Sequence, residues 1–226
     1  MKIYVVSCNE TRWKNLTNAS SVLNLDFVNV QSPLSTDEEV QRRGKRLFET
    51  GKGYPTGVAA TIGHIRAMKQ FVESQEPLAM IVEDDVRFHK DFNNQIKSIE
   101  KYMLETDTDI FSLGFVNLPH QSNIKFLNGM PFREHVGISD PWGAQCYVIT
   151  RKYAMFFSNL FSVDDIASVY PRDFVTDFVI FDTFLGCKRS TLIFPIVIES
   201  PDEQTLAGST NKPNLFEHVN RGEYYI

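Results

Sequence analysis

A chain of 226 residues, 42% of them hydrophobic and 18 of them Phe, has material for one large or two small domains around a substantial core. Its formal charge of −5, from 23 Lys and Arg against 28 Asp and Glu, argues against nucleic acid as a partner. The three cysteines, Cys8, Cys146 and Cys187, are odd in number and set in apolar surroundings. They read as reduced thiols, and since no run reaches membrane-spanning length, a cytoplasmic protein is expected.

The chain opens with a β-branched, aromatic run, Ile3-Tyr4-Val5-Val6-Ser7, too short for a signal peptide or a span and suited to a first strand. Trp13, Leu16, Ser20 and Leu23 then recur at helical spacing, and Asp26 to Val30 reads as a second strand. Ser35 to Thr50 is a charged helical insertion whose Arg42-Arg43-Lys45-Arg46 cluster is expected to be a solvated face; phosphate binding is the minority alternative. Gly51 to Gly57 reads as a loop, Val58 to Ser74 as a helix with an apolar face, and Leu78 to Val82 as a strand. A helix over Asp91 to Leu104, a strand over Asp109 to Leu113 and a loop-rich stretch from Asn117 to Pro141 follow. Ala144 to Thr150 reads as a strand, Arg151 opens a helix, Phe174 to Leu185 forms another, and Thr191 to Ile198 is a last strand before a polar tail. Alternating strands and helices predict an α/β fold with a mostly parallel central sheet flanked by helices.

The most informative stretch is Ile81-Val82-Glu83-Asp84-Asp85-Val86. Five consecutive apolar residues, Leu78 to Val82, mean a strand covered on both faces, and ligands of open α/β sheets sit at the carboxyl ends of such strands. Three acids there repel one another and resist burial, unless a divalent cation offsets the repulsion. Hard oxygen ligands suit Mg²⁺ or Mn²⁺, which also bind diphosphate oxygens. Side-chain alternation would put Glu83 and Asp85 on one face and Asp84 on the other. The bland alternative is a solvated acidic turn, and an aspartyl-phosphate phosphatase is disfavoured because Val86-Arg87-Phe88 does not fit its frame.

These residues resemble glycosyltransferase family 25, the GT-A-fold group of lipopolysaccharide and collagen galactosyltransferases. The likeness runs from Tyr4-Val5-Val6-Ser7 followed by Arg12, through Gly57-Val58-Ala59-Ala60-Thr61-Ile62-Gly63-His64, to Glu83-Asp84-Asp85-Val86, which matches letter for letter. It continues over Gly143-Ala144-Gln145-Cys146-Tyr147-Val148-Ile149-Thr150-Arg151-Lys152-Tyr153-Ala154, Asp177 and Phe194-Pro195. The segment before His64 keeps the His but replaces the family's Ser, Glu and Cys, as in a distant member. At this level the chain is also similar to glycosyltransferase domains of large algal viruses, for which the compartment would be host cytoplasm.

The resemblance implies a single GT-A-like domain over residues 1–226, with a nucleotide-binding half at 1–115 and an acceptor-binding half and C-terminal loop at 116–226. It implies Mn²⁺ or Mg²⁺ between the acids and the donor diphosphate, with Asp85 the first direct ligand, Glu83 and Asp84 completing the cluster, and His218 as a third ligand unless it is a surface His. Ser7, Asn9 and Arg12 would hold the nucleotide base and ribose, and Lys212 or Arg221 would neutralise the departing phosphate. Inversion needs a carboxylate base, for which Asp177 is the candidate, with helix capping as its structural alternative, and Asp182 the reserve. His64 would cap or orient a helix near the donor, and Trp142 would stack on a sugar or fill the core. The expected partners are a UDP-sugar and a glycan or glycoprotein acceptor. A nucleotidyltransferase of similar fold is the first alternative, weakened because Cys8-Asn9-Glu10-Thr11-Arg12 lacks glycine. The second is a non-catalytic nucleotide- or sugar-binding module, which would need no metal.

Overall fold

A computed structural model describes residues 1–114, 123–135, 143–170, 172–181 and 186–200. The first strand, β1 (Ile3–Ser7), is buried throughout and leads into α1 (Glu10–Ala19), a short 3₁₀ turn and β2 (Phe27–Gln31). Asn9 decides where α1 starts. Its backbone is extended, and its side-chain oxygen accepts from the Thr11 and Arg12 N–H groups, two donors that a helix start otherwise leaves unmet. Then come α2 (Glu38–Glu49) and α3 (Pro55–Glu73). α3 begins three residues earlier than its apolar periodicity predicts, because Pro55 occupies the first turn, where its missing N–H costs nothing.

The chain continues through β3 (Leu78–Glu83), β4 (Val86–Phe88), α4 (Phe92–Glu105), β5 (Ile110–Ser112), β6 (Lys125–Leu127) and β7 (Met130–His135). It ends, within the described residues, with β8 (Cys146–Thr150), α5 (Arg151–Leu160), α6 (Ile166–Val169), α7 (Thr176–Ile180), β9 (Arg189–Leu192) and β10 (Val197–Glu199). Eight strands form one sheet in the order β2-β1-β3-β8-β5-β9-β7-β6, while β10 pairs with β4 in a separate two-stranded sheet. In the large sheet β7 and β8 run against the other six strands, so the mostly parallel α/β sheet expected from the alternating pattern is what forms.

Strand alternation sorts the core into two layers. Tyr4, Val6, Ala79, Ile81, Tyr147 and Ile149 point to the side covered by α2, α3 and α5 to α7. Ile3, Val5, Met80, Val82, Cys146 and Val148 point to the other side, under α1, α4 and the small sheet. α3 sits very close to the sheet because Gly63 has no side chain: a Cβ there would lie 2.6 Å from both Val6 Cγ1 and Ser32 Oγ.

Three expectations change. The stretch from Asn117 to Pro141 is not all loop, since it holds the β6–β7 hairpin. Asn128 and Gly129, at φ +48° and +83°, make the two-residue turn with both central residues left-handed that an Asn-Gly pair specifies. The strand predicted over Thr191 to Ile198 is two strands in different sheets, interrupted by Phe194-Pro195 where Pro offers no N–H for a ladder. The basic cluster is not a uniformly solvated face. Arg43 is buried and donates to the carbonyls of Phe161 and Val163 and to Glu39, Arg66 also binds Glu39, and Arg42 and Arg46 pair with Asp164 and Asp165. Together they fasten α2 to the segment that enters α6. Among the described residues no helix is long and apolar enough to cross a membrane.

Candidate active site

The site forms where β3 ends between β1 and β8. Glu83 continues the Ala79–Ile81 face and so meets α3, where His64 Nε2 lies 3.3 Å from its Oε1. The ladder stops there, and Asp84 and Asp85 occupy the turn into β4. Simple alternation does not describe the turn in full: Asp84 and Asp85 share Arg12 as a partner, while Glu83, which also acts on Asp85, meets His64. Arg12, carried by α1, places Nη1 3.6 Å from a carboxylate oxygen of each aspartate. Ser7, at the end of β1, donates its hydroxyl to Asp84 Oδ2 at 2.5 Å.

Asp84 and Asp85 are both buried, so the cluster is no solvated acidic turn. The Asp85 carbonyl accepts from the Ser200 N–H at 2.6 Å, while its Oδ1 is buried and has no hydrogen-bond partner among the described residues. An oxygen in that state is costly unless another group meets it.

Two further carboxylates reach the cluster. Asp177 sits in the first turn of α7, and its Oδ1 accepts from the Ala144 N–H at 2.8 Å. Capping is therefore not its role, since the residue at the cap of α7 is Val175 and the aspartate instead anchors the chain entering β8. Glu199 ends β10 opposite Val86. Burial pushes the Glu83 carboxyl up to about 8, helped by Asp177, Glu199 and Asp84 and opposed by Arg12. Burial likewise raises Asp85 well above the usual carboxylate range, with Glu83, Glu199 and Asp84 adding to it. Asp177 and Glu199 are raised too, chiefly by burial. His64 supplies no positive charge, because complete burial lowers it to about 4. Among the described residues Arg12, beside Asp84 and Asp85, and Arg189, acting on Asp177, face a group of acids that outnumbers them.

Of the two roles expected of His64, capping is excluded, since it lies inside α3 with none of its surface exposed. Asn9 spends its side chain on capping α1, and Ser7 and Arg12 are bound to the acids. Asp182, Lys212, His218, Arg221 and Trp142 lie outside the described residues. Sequence reasoning gave no role to Glu199 or Tyr147. The first had a signal, because Ile196-Val197-Ile198-Glu199 repeats the pattern of an apolar run closed by an acid seen at Val82-Glu83.

Among the described residues no three His, Cys, Asp or Glu side chains converge closely enough to enclose an ion. Mg²⁺ and Mn²⁺ do not require such a cage, since one or two carboxylates with water and substrate phosphates suffice. Asp85, with its unmatched oxygen, and Glu83 fit that donor set.

The model of glycosyltransferase family 25, described as an LPS biosynthesis protein family, matches residues 56–176, just over half of the chain. The chain belongs to glycosyltransferase family 25. It is therefore a glycosyltransferase, which implies a nucleotide-sugar donor and a glycan acceptor. The matched span of this family 25 enzyme takes in His64, Glu83-Asp84-Asp85 and Tyr147, and stops one residue before Asp177.

No curated protein matches the sequence. Among solved structures, a glycosyltransferase involved in glycosylation of the major capsid of PBCV-1 superimposes with TM-score 0.43 at 11% identity, covering 89% of this chain and 93% of that one. The inositol-1-phosphate CTP transferase from T. maritima gives TM-score 0.34 at 12% identity, covering 88% and 89%. At these TM-scores neither likeness bears on the chemistry of the site.

Proposed function

We propose that this family 25 enzyme moves a sugar from a UDP-sugar to a glycan or glycoprotein acceptor, with inversion, using Mn²⁺ or Mg²⁺ at Asp85 and Glu83. The observation that carries the proposal is the buried Oδ1 of Asp85, without a hydrogen-bond partner among the described residues, within a group of acids that outnumbers the cations beside it. The bound ion would supply Lewis acidity to the leaving nucleotide diphosphate. Asp84, held by Ser7 and Arg12, stiffens the turn that presents Asp85 and would complete the cluster toward the ribose or sugar hydroxyls. Ser7, Asn9 and Arg12 border the nucleotide, chiefly through the backbone, since their side chains are engaged elsewhere.

Asp177 takes the acceptor hydroxyl proton. Its raised proton affinity makes it a stronger base than an ordinary carboxylate, and the Ala144 N–H holds it in place. Asp182 is the reserve base, His218 a third ligand and Lys212 a cation for the departing phosphate. The chain works as one GT-A domain, residues 1–115 holding the nucleotide and 116–226 the acceptor. The free thiols Cys8, Cys146 and Cys187 suit the cytoplasm, host cytoplasm for a viral chain.

Calorimetry with UDP and GDP, with and without Mn²⁺, on the wild type and Asp85→Ala tests the proposal. UDP should bind only with Mn²⁺, and the substitution should abolish that binding. Binding indifferent to metal would favour a non-catalytic module, and turnover of CTP or UTP with a sugar phosphate would favour a nucleotidyltransferase.

A further inference from the structure

Behind Glu83 lies a buried polar chain that the proposed transfer does not use. His64 Nδ1 is 2.9 Å from the Tyr147 hydroxyl, and Nε2 is 3.3 Å from Glu83 Oε1. The imidazole is stacked on the Tyr147 ring, 5.7 Å between centroids and 25° between planes. Tyr147 is itself wholly buried and fixed edge-on by Phe181 at 5.4 Å and 86°. The β3–β8 register sets it opposite Ile81, two residues before Glu83.

We propose that His64 and Tyr147 are positioning residues that hold the Glu83 carboxylate in one orientation and thereby set how tightly the divalent cation and the nucleotide diphosphate bind. This rests on the reading above, in which Glu83 borders the cation. With the cation bound Glu83 would be ionised and could only accept, so Nε2 would carry the imidazole proton. Nδ1 then accepts, and the Tyr147 O–H donates to it. The chain runs in one direction from Tyr147 through His64 to Glu83, with both ring nitrogens satisfied. Rotation of Glu83 away from this geometry would leave Nε2–H, on a ring with none of its surface exposed, without its acceptor. Asp84 is held differently, by the Ser7 hydroxyl and Arg12, and Asp85 pairs with Arg12. Groups that orient a ligating carboxylate commonly change metal affinity about 10- to 100-fold when removed.

Tyr147→Phe deletes one oxygen and keeps the ring packed on His64 and Phe181. We expect it to weaken Mn²⁺ binding in the presence of UDP by about ten-fold, read by calorimetry rather than turnover, and to leave the metal-free fold intact by circular dichroism. His64→Leu should lose more, and His64→Gln, whose amide N–H can reach toward Glu83, should regain most of the loss. If wild-type protein binds Mn²⁺ with UDP while Tyr147→Phe binds both within two-fold of it, the positioning role is refuted and the assignment of the cation site survives. If the wild type shows no metal-dependent UDP binding, that assignment fails first and the positioning role with it. Should His64→Leu fail to fold, Tyr147→Phe and His64→Gln still decide between the outcomes.

Discussion

The metal-free enzyme should lose stability as pH rises through neutrality, because its buried acids are then forced to ionise together. The Glu83 carboxyl keeps its proton to about 8 in the native state, against 4.5 for an ordinary Glu. Between those values the folded chain holds a proton that the unfolded chain has released, so this contribution is complete below about 4.5 and is lost by about 8. Each pKa unit corresponds to about 1.4 kcal/mol, which makes the loss a few kcal/mol before relaxation reduces it. For a chain of this length about 1 kcal/mol moves Tm by roughly 2–4 °C, so a fall on the order of 5–10 °C is expected across the window. Asp85, Asp177 and Glu199, all raised, act in the same direction. His64 acts oppositely and elsewhere: lowered to about 4, it costs stability as pH falls from 6.5. The interval from pH 6.5 to 8 therefore isolates the carboxylates. Scanning calorimetry after chelation, repeated with Mn²⁺ in excess, measures it. Mn²⁺ at a hundred times its Kd adds about 2.7 kcal/mol, and it should restore more at pH 8 than at pH 6.5, where protons compete for the same oxygens. Glu83→Gln should flatten the metal-free slope. A metal-free Tm that is level or rising over this interval would refute the electrostatic account of the site.

Three substitutions probe the frame around the acids. Gly63→Ala inserts a methyl 2.6 Å from Val6 Cγ1 and Ser32 Oγ; it should cost about 1–3 kcal/mol by urea unfolding, despite the better helix propensity of Ala, and a stabilised variant would show that α3 has room to spare. Arg12→Met removes the guanidinium 3.6 Å from both aspartates; the metal-free protein should lose about 3 kcal/mol, and added Mn²⁺ should recover part of it. Asn9→Ala removes the cap that aims Arg12, costing about 1 kcal/mol and raising KM for the nucleotide-sugar more than it lowers kcat.

Much of the central sheet could be read in advance because its strands carry their own signature. Leu78 to Val82 is apolar on both faces, and burial on both faces is what it receives. The acids that follow were legible for the same reason, as charges at the end of a doubly covered strand, and Asp84 and Asp85 are indeed buried there. What the sequence did not disclose depends on contacts between distant segments. The burial of Arg43 is fixed by carbonyls more than a hundred residues away. The pairing of Glu83 with His64 follows from β3 ending at the moment its alternation points to α3, a matter of one residue that periodicity does not resolve. The hairpin at Asn128-Gly129 was different, since its turn signal was local and strong, and only the polar composition around it concealed the strands.

The place where the chain leaves one sheet for the other at Phe194-Pro195 has a consequence in time. Ser7, Arg12, His64, Glu83 to Asp85 and Asp177 can all be synthesised before the strand that ends in Glu199 exists. Until that strand lies along β4, the Ser200 N–H that the Asp85 carbonyl accepts from is not in place, and Glu199 is not opposite Val86. Contacts of such long sequence separation form late, so a nascent or truncated chain ending short of Ser200 would carry a nearly complete sheet and an unfinished centre.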